Sequence, residues 1–108
     1  MIELLIFERR DFGMTRIHEL KTIDHYFEAV ERGEKTFEVR RNDRAFQTGD
    51  IVRLVKVAPD KWSNIRYVFD GDDKVTLERK ITYILQGGQF GIEPTYCALG
   101  LGLVDEND

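Results

Sequence analysis

Ile23, Tyr26, Phe27 and Val30 fall at i, i+3, i+4 and i+7, which makes one apolar stripe on a helix. Thr22 or Asp24 can cap its start, Glu28 and Arg32 pair at i, i+4, and Gly33 suits the left-handed position after its end. The spacing predicts a helix over 23–32. The rest of the chain reads in period two. His18 to Lys21 forms an early strand, and Thr36 to Arg41 alternates with Phe37 and Val39 on one face and Thr36, Glu38 and Arg40 on the other. Gly49-Asp50 turns the chain into IVRLVKV at 51–57, apolar on both faces and so covered on both. Ile65, Tyr67 and Phe69 alternate up to the turn sequence Asp70-Gly71-Asp72-Asp73. Val75 to Leu85 returns as a long strand with Val75, Leu77, Ile81, Tyr83 and Leu85 on one face, and Tyr67 and Tyr83 are expected inside. Gly87-Gly88 and Gly91 break the chain before a last strand at about 95–103. Roughly six short strands and one main helix predict a mainly β, α+β domain with one or two helices, shaped as a small, partly closed β-barrel.

Composition narrows the class. At 108 residues the chain has room for one domain, and 42% apolar with 33% charged residues fits neither a disordered nor a membrane protein. One cysteine excludes a disulfide framework or a cysteine-rich zinc site and suits a reducing cytosol. Met1 to Phe7 is apolar but too short to span a bilayer, and Glu8, Arg9, Arg10 and Asp11 follow it where a secretory signal would carry small residues. A cytoplasmic protein without a membrane partner is expected. Residues 1–13 stand apart as a leader. They are either a native strand or a reading-frame extension, since Glu8-Arg9-Arg10 can be encoded by a purine-rich ribosome-binding sequence ahead of Met14. A single domain then runs over 14–104, and 105–108 is an acidic tail.

The net charge of −4 excludes a protein that holds nucleic acid by bulk positive charge. That charge lies in the leader and the tail, however, and 14–104 is neutral. Within it the stretch from Arg32 to Arg44 sets Arg32, Lys35, Arg40, Arg41 and Arg44 against Glu34, Glu38 and Asp43. Glu38 and Arg40, two apart on one strand face, can pair and orient the guanidinium as a planar fork for a phosphate or a base edge. The plainer reading is a solvated strand face with a surface ion pair, which adds little to stability.

Gly33-Glu34-Lys35-Thr36-Phe37-Glu38-Val39-Arg40 reads G-x-K-x-x-E-x-R and resembles the signature of the ASCH domain, a branch of the PUA-like superfamily. The preceding helix and the strand His18-Glu19-Leu20-Lys21 suit that resemblance. So do Phe37-Glu38-Val39-Arg40-Arg41-Asn42-Asp43-Arg44 and Phe46-Gln47-Thr48-Gly49-Asp50, which are similar to a small ASCH-like family of unknown function found in bacteria and phages. The resemblance covers about 14–103 and implies a PUA-like β-barrel with a cleft beside the helix–strand junction. It implies RNA, a nucleotide or a modified nucleoside as partner, with Lys35, Glu38 and Arg40 lining the cleft, Lys21 entering from the first strand, and Arg41 and Arg44 from the extended motif. Some ASCH-like proteins hydrolyse the amide of N4-acetylcytidine with a lysine and a threonine of this motif and a glutamate elsewhere. Here Glu38 stands where that threonine would, so Lys35 and Glu38 would carry any hydrolysis, and Glu78 reads better as a cross-strand partner. A protein-interaction domain that keeps the motif for structure is the third possibility.

Other features add little chemistry. His18 lies near the proposed cleft and His25 on the helix surface; neither has metal-ligand spacing, and no metal or cofactor is expected. Gly87-Gly88-Gln89-Phe90-Gly91 lacks the lysine and following helix of a phosphate loop. Cys97 reads as buried filler. Trp62, beside Lys61, suits either a lid over the barrel's open end or a stacking surface for an unpaired base. A monomer is favoured.

Overall fold

The computed structural model describes residues 16–62 and 64–105, so the leader and the last three residues of the acidic tail lie outside it. Its elements are β1 (Ile17–Ile23), α1 (Asp24–Glu31), β2 (Phe37–Arg41), β3 (Ile51–Pro59), β4 (Ile65–Tyr67), β5 (Phe69–Asp70), β6 (Asp73–Lys74), β7 (Thr76–Gln86) and β8 (Tyr96–Gly102). The domain is mainly β with one helix.

β3 is the central strand because it is apolar on both faces. Val52 and Leu54 meet the core under α1, while Ile51, Val55 and Val57 are buried on the opposite face. The sheet runs β1-β3-β7-β8-β2, with β1 parallel to β3, the other neighbours antiparallel, and β4 added to β3. β1 and β2 are therefore the two ends of the sheet, although α1 alone separates them in sequence. Among the described residues no ladder joins them, so the sheet is not closed into the expected barrel at the seam between them.

α1 buries Phe27 and Val30 of the predicted stripe in the core; Tyr26 stays half exposed. No side chain caps its start: Thr22 Oγ1 donates to the Leu20 carbonyl (3.1 Å) instead, and Asp24 adds a favourable negative charge to the first turn. The strand expected over 65–69 is broken at Val68, which donates to the Lys56 carbonyl (3.1 Å) between β4 and β5.

The long strand departs from its predicted face. Leu77 and Ile81 point to the core, but the register with β8 shifts between Ile81 and Tyr83. That bulge moves every later residue to the other face, so Tyr83 is 68% exposed and Ile84 packs on the core. Room for the extra residue comes from β8: a Cβ at Gly100 would lie 3.1 Å from Thr82 Oγ1 and one at Gly102 2.8 Å from Thr82 Cγ2. Tyr83→Ser should therefore change stability by less than about 0.5 kcal/mol, whereas Ile84→Ala should cost about 2 kcal/mol. Chemical denaturation distinguishes the two, and the opposite order would refute the bulge.

No helix among the described residues is long and apolar enough to cross a membrane.

Candidate functional site

The turn after α1 delivers Lys35. Gly33 takes φ +82°, a conformation glycine enters without strain, and its amide donates to the Val30 carbonyl (3.0 Å). The amides of Glu34 and Lys35 then both donate to the Ala29 carbonyl (3.0 Å each). Glu34 itself pairs outward with Arg32 (2.9 Å), and the Arg32 hydrogen bond holds its carboxyl below the usual range. The pair is exposed and contributes little to the fold.

β2 begins at the next turn, and its pairing decides which face is inside. Glu38 lies opposite Leu99 and Arg40 opposite Cys97, and both of those partners are buried. The polar face of β2 therefore points inward. Glu38 is only 4% exposed, while Phe37 and Val39 are about half exposed. A carboxylate taken from water needs partners, and Glu38 has two cations. Lys35 Nζ donates to Glu38 Oε1 and to the Phe37 carbonyl (2.7 Å). Arg40 meets Glu38 Oε2 through Nε (3.0 Å) and Nη2 (2.9 Å).

Arg40 also crosses the seam. Its Nη2 donates to the Lys21 carbonyl (2.9 Å) and to Thr22 Oγ1 (3.0 Å). On β1 the Arg16 carbonyl accepts from the Ile51 amide, so even-numbered residues there face β3 and odd-numbered carbonyls face the open edge. Arg40 thus caps Lys21, and Arg44 Nη1 caps the next open carbonyl, that of Glu19 (2.6 Å). Two arginines cover the edge that a neighbouring strand would otherwise pair with.

Along the seam lies a cleft of about 620 Å³. Lys21, Lys35, Glu38, Arg40 and Arg41 all line it, five of the six residues expected at a site; Arg44 does not. Lys21 contributes at the rim, with its ammonium directed to the Tyr67 ring (5.4 Å to the centroid), away from Glu38. Arg41 lies over the Tyr96 ring (5.5 Å) and has no carboxylate partner among the described residues. The cleft also holds aromatic walls that the motif does not specify. Lys35 Nζ sits 5.5 Å from the Tyr26 centroid and 5.0 Å from that of Phe37, and Tyr96 closes the far side. In the sequence Tyr26 counts in the apolar stripe, one turn before Val30, which gives it no role in the cleft; Tyr96 carries no local signal.

Several candidates lie elsewhere. His18 is buried and hydrogen-bonded to Asp50 (2.8 Å) with Phe46 edge-on at 4.8 Å, outside the cleft lining. Thr36 is exposed and also outside it, and Glu78 pairs across the sheet with Arg53 (2.7 Å). Trp62 is 72% exposed, which does not fit a lid over an apolar interior. Burial raises the Cys97 thiol pKa, with Asp43 adding to the effect, so its thiolate is disfavoured. Among the described residues no group of three His, Cys, Asp or Glu side chains is placed to hold a metal ion.

No curated protein matches the chain. Residues 17–101 match the model of a family described as a domain of unknown function, DUF3850, and the match takes in α1, the whole cleft and every strand of the sheet but for Gly102 at the end of β8. The chain belongs to the DUF3850 family.

Proposed function

We propose that this domain is an ASCH-like, PUA-type module that binds RNA or a nucleotide in the cleft between β1 and β2. The observation that carries the reading is the buried Glu38 carboxylate, which fixes Lys35 and Arg40 together at the cleft. Their positions are set by that carboxylate rather than by mobile surface rotamers, so little ordering cost remains when a ligand arrives. Lys35, Arg40 and Arg41 outnumber Glu38, which leaves the cleft locally positive on a chain whose net charge is −4. Local charge of that kind favours a phosphate-bearing ligand without attracting every polyanion. Tyr26, Phe37 and Tyr96 supply faces on which an unpaired base can stack. The G-x-K-x-x-E-x-R string supports the same reading.

Arg41 offers a clean test because no carboxylate holds it and it is exposed. Arg41→Ala should weaken binding of nucleoside monophosphates and single-stranded RNA by roughly tenfold, the loss of one hydrogen bond to a charged group, while melting stays unchanged. Titration at low salt measures this, and affinity should fall as salt rises. No binding of either probe at low salt would overturn the proposal. Hydrolysis of an N-acylated cytidine gains no observation of its own: Thr36 is outside the cleft, and Thr22 Oγ1 is held between the Leu20 carbonyl and Arg40.

A further inference from the structure

Lys21 belongs to two surfaces at once. It lines the cleft, yet on β1 it points away from buried Leu20 and Thr22, onto the sheet face that carries Val55 and Val57. From there its ammonium reaches across β3 to the Tyr67 ring on β4, 5.4 Å from the centroid. Lys74 of β6 lies over the same ring at 4.0 Å. Neither lysine has a carboxylate partner among the described residues, although Asp70, Asp72 and Asp73 share the β5–β6 hairpin with Lys74. One half-buried ring beside the mouth of the cleft therefore gathers two ammonium groups that make no ion pair among the described residues. Cation–π attraction of this kind holds lysine heads in place before a ligand arrives.

We propose that the ligand is a single-stranded RNA chain rather than a free nucleotide: one nucleotide occupies the β1–β2 cleft, and the adjoining backbone runs over Lys21 to Lys74. This rests on the nucleotide-binding reading of the cleft. A free nucleotide has no use for cations beyond the cleft rim, whereas a strand that leaves the cleft past Lys21 meets both ammonium groups with successive phosphates. Tyr67 acts as the positioning residue, keeping the two lysine heads together.

The test compares a labelled, mixed-sequence single-stranded RNA of about ten nucleotides with nucleoside 5′-monophosphates, using the full chain and anisotropy titrations at several salt concentrations. RNA should bind more tightly than any monophosphate. Lys74→Gln should weaken RNA binding several-fold and lower the log–log salt slope by about 0.7, the value for one lost phosphate contact on a single strand, with monophosphate affinity unchanged. Lys74→Arg should restore both. Arg41→Ala should weaken both ligands. If Lys74→Gln leaves RNA affinity and slope as they were while Arg41→Ala still weakens both, the strand path is wrong and the cleft reading stands. If Arg41→Ala changes neither ligand, the cleft reading falls and the strand path with it.

Discussion

Glu38→Ala should lower the melting temperature by about 10–20 °C and abolish ligand binding. The substitution removes the one carboxylate that Lys35 and Arg40 share and leaves both cations at a site sealed from bulk water on the β8 side. Breaking a buried ion pair from one side costs about 3–5 kcal/mol, because the remaining charge stays without compensation. Lys35 and Arg40 keep some solvent contact, and Arg40 keeps the Lys21 carbonyl and Thr22 Oγ1, which puts the cost here near 3 kcal/mol. Glu38→Gln should fall between the two proteins, since the amide offers one acceptor oxygen where two cations converge on two. Thermal and urea unfolding measure the loss. The triple variant Lys35→Met, Glu38→Leu, Arg40→Met separates stability from function. It removes the charges together and should recover part of the lost stability while binding neither RNA nor monophosphate. Wild-type stability in Glu38→Ala would mean the carboxylate does not organise the cleft.

The inward turn of Glu38 marks the limit of what the sequence can show. Alternation in Thr36 to Arg41 correctly separates Phe37 and Val39 from Glu38 and Arg40, but period two says only which residues share a face. Which face lies inside is set by β8, where Leu99 and Cys97 sit opposite Glu38 and Arg40, more than fifty positions away in the chain. An apolar-in assumption gives the wrong side for β2. The same non-locality hides the bulge at Thr82, because the space for it comes from Gly100 and Gly102 on the partner strand. The helix was legible because its stripe, its acidic first turn and its Gly33 exit are all local. The pairing of Glu38 with Arg40 was legible because the two share a face of one short strand beside the helix exit, whereas a ligand role for the string from Lys35 to Arg41 came only from its resemblance to a known motif. Arg44 belongs to the same charge run yet serves the free edge of β1, a partnership made across the fold with the Glu19 carbonyl. Charge runs report cations; tertiary structure decides which of them remain for a ligand.

Gly87→Ala should destabilise the domain by about 3 kcal/mol, the upper range for forcing extra volume into a packed site. A Cβ at this position would strike the backbone oxygens of Glu93 and Tyr96 and lie 2.9 Å from the Glu93 carbonyl carbon. Side chains can yield to such a contact, but these are main-chain atoms locked in a turn. The Tyr96 amide donates to the Glu93 carbonyl (2.9 Å), the Gly88 amide to the Ile92 carbonyl (2.7 Å), and the Ile92 amide to the Gln89 carbonyl (2.9 Å). Moving the Glu93 oxygen means breaking its bond from the Tyr96 amide, and moving the Tyr96 oxygen means displacing the first residue of β8. Gly88 provides the control, since its φ of +88° requires a left-handed backbone but nothing lies within 4 Å of the added methyl. Gly88→Ala should then cost only about 1–2 kcal/mol, the strain of that conformation. Gly87 also bears on the site, because Tyr96 opens β8 and carries the ring under Arg41. The Gly87 variant should lose RNA affinity even at temperatures where it remains folded, as its cleft wall shifts, and the Gly88 variant should not. Urea unfolding of the two proteins decides the first point, and a larger loss in Gly88→Ala would show that left-handed strain, not contact with the Glu93 and Tyr96 carbonyls, requires glycine in this turn.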